Sequence, residues 1–196
     1  MDRNGLNSLA CEIHAQAVEK GFWDVEDAMA KHIAKMHSEL SEAIQEDRMG
    51  HPMLYVDDID VLERITDPDM FDGRKPEGIA AELVDFVMMA LDLFAKESYD
   101  FGFAYLNCME SVENIRYEFA ERPLYYMVLL GHEALSYAHY LSVGDCAECI
   151  PWTQVAIPCV IAFEVWLNAR GVDLWQVVRL KLEYNKSRPA LHGRKY

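Results

Sequence analysis

Apolar side chains recur at three- and four-residue spacing along nearly the whole chain, the period of helices that bury one face. Leu9, Ala10, Ile13 and Ala17 place a first helix over Ser8 to Lys20, and Gly21 follows as a residue suited to a left-handed stop. Ile33, Met36, Leu40, Ala43 and Ile44 place a second from about Glu26 through Arg48. Gly50 to Arg74 breaks the pattern with Pro52, Pro68, Gly73 and the acidic clusters Asp57-Asp58-Ile59-Asp60 and Asp67-Pro68-Asp69. This segment, about 49–75, reads as an insertion of loop character with one short helix over Val61 to Ile65. Pro76 opens a third helix that runs to about Glu97, and Asp100 is the N-cap of a fourth that reaches Arg122-Pro123. A fifth spans Leu124 to Leu141, and a sixth runs from Pro151 to Gly171 with Pro158 as a kink. Asp173 caps a seventh through about Lys186. The expected fold is all-α, one domain over 1–196.

Charge interrupts this pattern most informatively on the third helix. Ile79 to Leu93 is apolar except for Glu82, Asp85 and Asp92, which share one face. A carboxylate buried without compensation costs several kcal/mol. The second helix carries a similar pair, Glu39 and Glu42, also three residues apart. Taken alone, that pair reads as a solvated polar stripe. Two such pairs on helices joined as a hairpin favour a shared site for a divalent cation with oxygen ligands.

Composition narrows the class. The chain has 196 residues, 52% of them hydrophobic, with a net charge of −15. Residues 1–123 hold 27 acidic and 11 basic side chains, whereas 124–196 hold 6 and 7. An acidic body excludes duplex nucleic acid as a partner, because its phosphates need Lys and Arg. A nucleotide stays admissible once metal bridges its phosphates to carboxylates. No apolar stretch reaches membrane-spanning length and no signal-peptide pattern opens the chain, so a cytoplasmic location is expected. The five cysteines lack framework spacing, and Cys146-Ala-Glu-Cys149 has no second pair to complete a zinc site.

The chain also matches itself. Asp100 to Glu110 aligns with Asp173 to Glu183 at an offset of 73, and Leu40, Ser41 and Ala43 align with Leu135, Ser136 and Ala138 at an offset of 95. The difference is close to the length of the acidic insertion. Two degenerate helical repeats are therefore expected, 1–123 and 124–196. In the second, Ala134, Tyr137, Val155 and Pro158 stand where the first has Glu39, Glu42, Glu82 and Asp85. The second alone ends on Lys181, Tyr184, Asn185, Lys186 and Arg188, with Lys181 and Asn185 one turn apart.

The stretches H-S-E-L-S-E-A, K-P-E-G-I-A-A-E-L-V-D and K-L-E-Y-N-K-S-R-P-A-L-H-G-R-K resemble the signature motifs of the MazG-like, all-α nucleoside triphosphate pyrophosphohydrolases. The sequence departs from that pattern in its long insertion and in the apolar Met88-Met89, where relatives often carry a basic residue. The resemblance implies cleavage of a nucleoside triphosphate, such as a deoxynucleotide, to monophosphate and pyrophosphate. It implies that Glu39, Glu42, Glu82 and Asp85 hold Mg²⁺, with Mn²⁺ as a substitute, and that Glu39 or Glu42 accepts the proton of the attacking water. Lys181, Tyr184, Asn185 and Arg188 are then expected at the phosphates, with His14, Phe22 and Trp23 at the base and sugar, and a homo-oligomer, expected as a dimer. The competing expectation is a non-catalytic helical nucleotide-binding or regulatory protein with the same fold.

Overall fold

Helix α3 (Ile79–Lys96) runs through the middle of the molecule, which explains why its sequence is apolar on almost every side. Helices α1 (Arg3–Glu19), α2 (Ala28–Met49), α7 (Trp152–Asn168) and α8 (Leu174–Lys186) pack around it. A helix enclosed in this way has no solvated face to fill with charge. Phe86, Phe94, Leu83 and Leu91 are fully buried on it, each contributing about 1.5–3 kcal/mol of hydrophobic stabilisation. Helices α4 (Phe101–Ser111), α5 (Arg116–Glu121) and α6 (Leu124–Val143) are the other α-helices among the described residues. The computed structural model describes residues 1–24, 28–56, 73–111, 116–143 and 152–193. Among these, no helix is long and apolar enough to cross a membrane.

The predominantly helical architecture matches the expected class, with local differences. Helix α1 starts five residues earlier than its apolar pattern suggests, because Asp2 caps it by accepting from the Gly5 amide at 2.8 Å. The third helix begins at Ile79 rather than Pro76. Pro76–Glu77 (β2) instead pairs antiparallel with Tyr55–Val56 (β1), so the chain is not wholly helical. Gly78 makes this switch from strand to helix, with φ of 103° and no room for a Cβ between the Pro52 and Met53 carbonyls. Within the expected fourth helix, α4 and α5 are helical, and 112–115 lie outside the described residues. Pro158 does lie inside α7, where it removes one helical hydrogen bond. The short helix expected over 61–65, the acidic clusters at 57–60 and 67–69, and Cys146 and Cys149 lie outside the described residues.

Several features recur at the two offsets found in the sequence. Asp100 caps α4 by accepting from Phe103 N at 3.0 Å, and Asp173, 73 residues on, caps α8 by accepting from Gln176 N at 3.0 Å. Ser41 donates to the His37 carbonyl at 3.0 Å, and Ser136, 95 residues on, donates to the His132 carbonyl at 2.8 Å. Those two histidines stack on each other where α2 meets α6, with ring centroids 5.0 Å apart and Nδ1 atoms 2.7 Å apart. Packing is reciprocal as well: α3 lies on α8, and α7 lies on α4.

Close helix contact makes one position especially sensitive. The Gly102 amide donates to Asn7 Oδ1 at 2.7 Å, and a Cβ at Gly102 would lie 2.4 Å from the Arg3 carbonyl oxygen. Gly102→Ala is therefore expected to cost about 1–3 kcal/mol even though alanine favours helix by about 1 kcal/mol. Gly131→Ala should cost less, because its closest clash is with the rotatable end of Leu40. Urea unfolding of both variants tests this; a neutral or stabilising Gly102→Ala would show that α1 and α4 are not held at this distance.

Candidate metal centre and adjoining cavity

Helix α2 brings Glu39 and Glu42 to one face, and the first turn of α3 brings Glu82 against them. Glu39 and Glu82 are 2% and 5% exposed, whereas Glu42 is exposed. One carboxylate oxygen from each lies within 4.8 Å of the others. Oxygens on opposite sides of a Mg²⁺ or Ca²⁺ ion lie about 4–5 Å apart, so the spacing fits one hard divalent cation. Glu82 also sits in the first turn of α3, where the helix dipole favours negative charge.

Asp85, one turn after Glu82, meets the cluster through a cation from α8. Lys181 Nζ donates to Asp85 Oδ2 at 2.6 Å and to the Ala81 carbonyl at 3.3 Å, and Lys181 is 3% exposed. Lys35, one turn before Glu39, forms an ion pair with it. Ser38 donates to Glu42 Oε1 at 2.7 Å, and the second Glu42 oxygen has no donor among the described residues.

The electrostatics follow from burial. Desolvation pushes the Glu82 carboxyl up to about 9 despite the pull of Lys181, with Asp85 and Glu39 adding to the rise. Glu39 is raised by burial and by Asp85, against Lys35. Glu82 therefore keeps its proton at neutral pH. Burial alone lowers the Lys181 ammonium, but Asp85, Glu82 and Glu39 outweigh it and hold the value above normal. At neutral pH the cluster thus holds a proton and a lysine where a divalent ion fits.

Glu39 and Asp85 also line a cavity of about 420 Å³ enclosed by α1, α2, α3 and the end of α8. Phe22, Asn185 and Arg188 line it as the sequence leads one to expect. Lys181 and Tyr184 do not; Lys181 serves the carboxylates, and Arg188 lies 5.6 Å over the Tyr184 ring. His14 and Trp23 stand behind the wall, bonded to Asp92, which does face the cavity. Lys20, Lys31, Lys35, His32 and His192 line it although the sequence pattern does not point to them. Two of these carry a legible signal: Lys35 lies four residues before Glu39, and His192 lies within the terminal L-H-G. Leu191 and His192 adopt positive φ, 47° and 51°, and the Leu191 amide donates to the Lys20 carbonyl at 2.8 Å, pinning the chain end over α1. Burial, with Arg188 nearby, holds the His192 imidazole down at about 4.

The raised Glu82 value predicts a pH dependence with a definite sign. The folded protein keeps a proton that the unfolded chain releases above the ordinary glutamate value of 4.5. The stability linked to this proton is full below that value and is lost as pH rises toward about 9. Glu82→Gln removes the titration, so it should flatten this decline and stabilise the metal-free protein by about 1–2 kcal/mol at pH 8. Denaturant titrations of both proteins in chelator across this range are the check; a variant that loses stability in parallel with wild type contradicts the assignment.

No protein-family model, curated protein or solved structure matches this chain.

Proposed function

We propose that this protein is a Mg²⁺-dependent nucleoside triphosphate pyrophosphohydrolase of the MazG-like all-α type, with Mn²⁺ as a substitute ion. The observation that carries the reading is the convergence of Glu39, Glu42 and Glu82 beside a cavity that also presents Lys20, Lys31, Lys35 and Arg188. Carboxylates suit a hard cation, and nearby Lys and Arg suit phosphates. Glu39, Glu42 and Glu82 would hold such an ion, which would supply a lowered pKa for an attacking water and positive charge against the phosphates.

The chain's own groups divide the remaining work. Glu42 is exposed, with one oxygen held by Ser38 and the other without a donor among the described residues, so it accepts the proton of the attacking water. Glu39, Glu82 and Asp85 hold the negative charge of the site, and Lys181 limits their mutual repulsion. Lys35, Arg188 and the Asn185 amide orient the triphosphate so that water approaches the α-phosphorus. Ile13, Phe22, Met88 and Met89 supply apolar walls for the nucleoside.

Residues 1–123 and 124–196 are read here as two degenerate repeats. The shared caps of α4 and α8, the shared serine bonds in α2 and α6, and the reciprocal packing of α3 on α8 and α7 on α4 support this. So does the stacking of His37 on His132, since a two-fold relation brings equivalent positions face to face. One half contributes the carboxylates, and the other contributes Lys181, Asn185 and Arg188.

The buried Lys181 also favours a second reading, in which its ion pairs are purely structural and the protein binds nucleotides without cleaving them. Product analysis separates the two. Incubated with deoxynucleoside triphosphates and Mg²⁺, the protein is expected to release monophosphate and pyrophosphate. Glu42→Gln should lower turnover about 10²–10⁴-fold while remaining folded. Orthophosphate and diphosphate as first products, or undiminished Glu42→Gln turnover, would contradict the pyrophosphohydrolase reading; complete absence of cleavage would favour the binding protein.

A further inference from the structure

One buried charge on the cavity wall has no part in phosphate chemistry. Asp92 is 2% exposed, yet it lines the cavity. It follows Asp85 by seven residues on α3, about 10 Å along the helix, which is the span between the phosphates and the base of a nucleotide. Asp92 Oδ1 accepts from His14 Nδ1 at 2.6 Å and from Trp23 Nε1 at 3.1 Å. Oδ2 is less well served. It receives only the longer limb of the Trp23 donor, at 3.2 Å. His32 Nε2 stands 3.5 Å from it and makes its closer contact, 3.1 Å, with the Met89 carbonyl. A carboxylate offers about four lone-pair directions, so Oδ2 keeps acceptor capacity.

The surroundings define what meets it. Ile13, Ala17, Met88 and Met89 line the cavity without a side-chain hydrogen-bond donor. His14 and Trp23 hold Asp92 from behind and leave the cavity to the ligand. A ligand that fills this space without donating to Oδ2 strips a carboxylate of water and returns nothing.

We propose that Asp92 selects the base, and that the cavity takes nucleotides whose base carries an exocyclic amine, cytosine, adenine or guanine, donating to Oδ2. Uracil and thymine place a carbonyl oxygen where cytosine has its amine, so lone pairs face the carboxylate. The inference rests on the pyrophosphohydrolase reading for the orientation of the nucleotide, phosphates toward Glu39 and Asp85, and deepens it by naming the substrate class.

Matched pairs that differ at the amine test this: dCTP against dUTP, dATP against dITP, and dGTP against dITP. Turnover is measured for each, along with calorimetric binding of analogues non-hydrolysable between the α- and β-phosphates. The amine-bearing member of at least one pair is expected to be favoured about ten- to a hundredfold. Asp92→Asn should collapse that preference while the cleavage products stay the same. If this variant does not fold, Asp92→Glu, which keeps the charge but moves it, should reduce the preference. Equal treatment within every pair, or a preference that Asp92→Asn leaves intact, overturns the inference while leaving pyrophosphate release untouched. An amine preference in binding without cleavage of any triphosphate supports Asp92 and sinks the enzymatic reading instead. Failure to bind any of these nucleotides overturns both.

Discussion

Two carboxylates, Glu39 and Glu82, face each other inside the protein with a single fully buried ammonium, Lys181, among them and Asp85. Burying a carboxylate costs several kcal/mol, a large part of the roughly 5–15 kcal/mol that holds a domain folded. The cost constrains three helices at once, because α2, α3 and α8 must hold these groups in register for the compensation to work. Lys181 and the proton kept on Glu82 lower the repulsion without removing it. A divalent ion satisfies the same oxygens more completely, and this imbalance makes the cluster a candidate centre rather than a polar patch.

The two proposed repeats differ in chemistry. At the positions 95 residues after Glu39 and Glu42 and 73 residues after Glu82 and Asp85, α6 and α7 carry Ala134, Tyr137, Val155 and Pro158, none of them acidic. Between α4, α7 and α8, Glu164 accepts from the Tyr105 hydroxyl and from Trp175 Nε1, the latter at 2.8 Å, and Phe101 packs on both rings. That region is an aromatic core with one satisfied carboxylate. Among the described residues, Glu39, Glu42 and Glu82 are the one acidic group spaced for a metal ion, beside a cavity whose cationic lining comes from Lys20, Lys31, Lys35 and Arg188.

Much of this is legible in the sequence because helical periodicity is a local signal. Glu82 and Asp85 on an otherwise apolar α3 betray themselves by the cost of burying them, and the caps Asp100 and Asp173 are readable from residue type. The strand pair at Tyr55–Val56 and Pro76–Glu77 is not legible: it joins two-residue segments across an insertion, and only Gly78 hints at it. The positions of Lys181, His14 and Trp23 differ from expectation for a similar reason. Residue type indicates that a lysine suits phosphate and a tryptophan suits a base, but only packing shows that Lys181 turns inward to Asp85 and Trp23 toward Asp92. Asp92 stands out in the apolar run, yet its partners come from positions far away in the chain.

The most direct measurement is calorimetric titration of Mg²⁺ into the metal-free protein at neutral pH, repeated in buffers of different ionisation enthalpy. Binding should release protons, because the cation replaces the one held on Glu82, and affinity should therefore rise with pH. Glu82→Gln should weaken the binding and abolish the proton release. No binding at millimolar Mg²⁺, or binding without proton release that Glu82→Gln leaves unchanged, would contradict the assignment of this cluster as a metal centre.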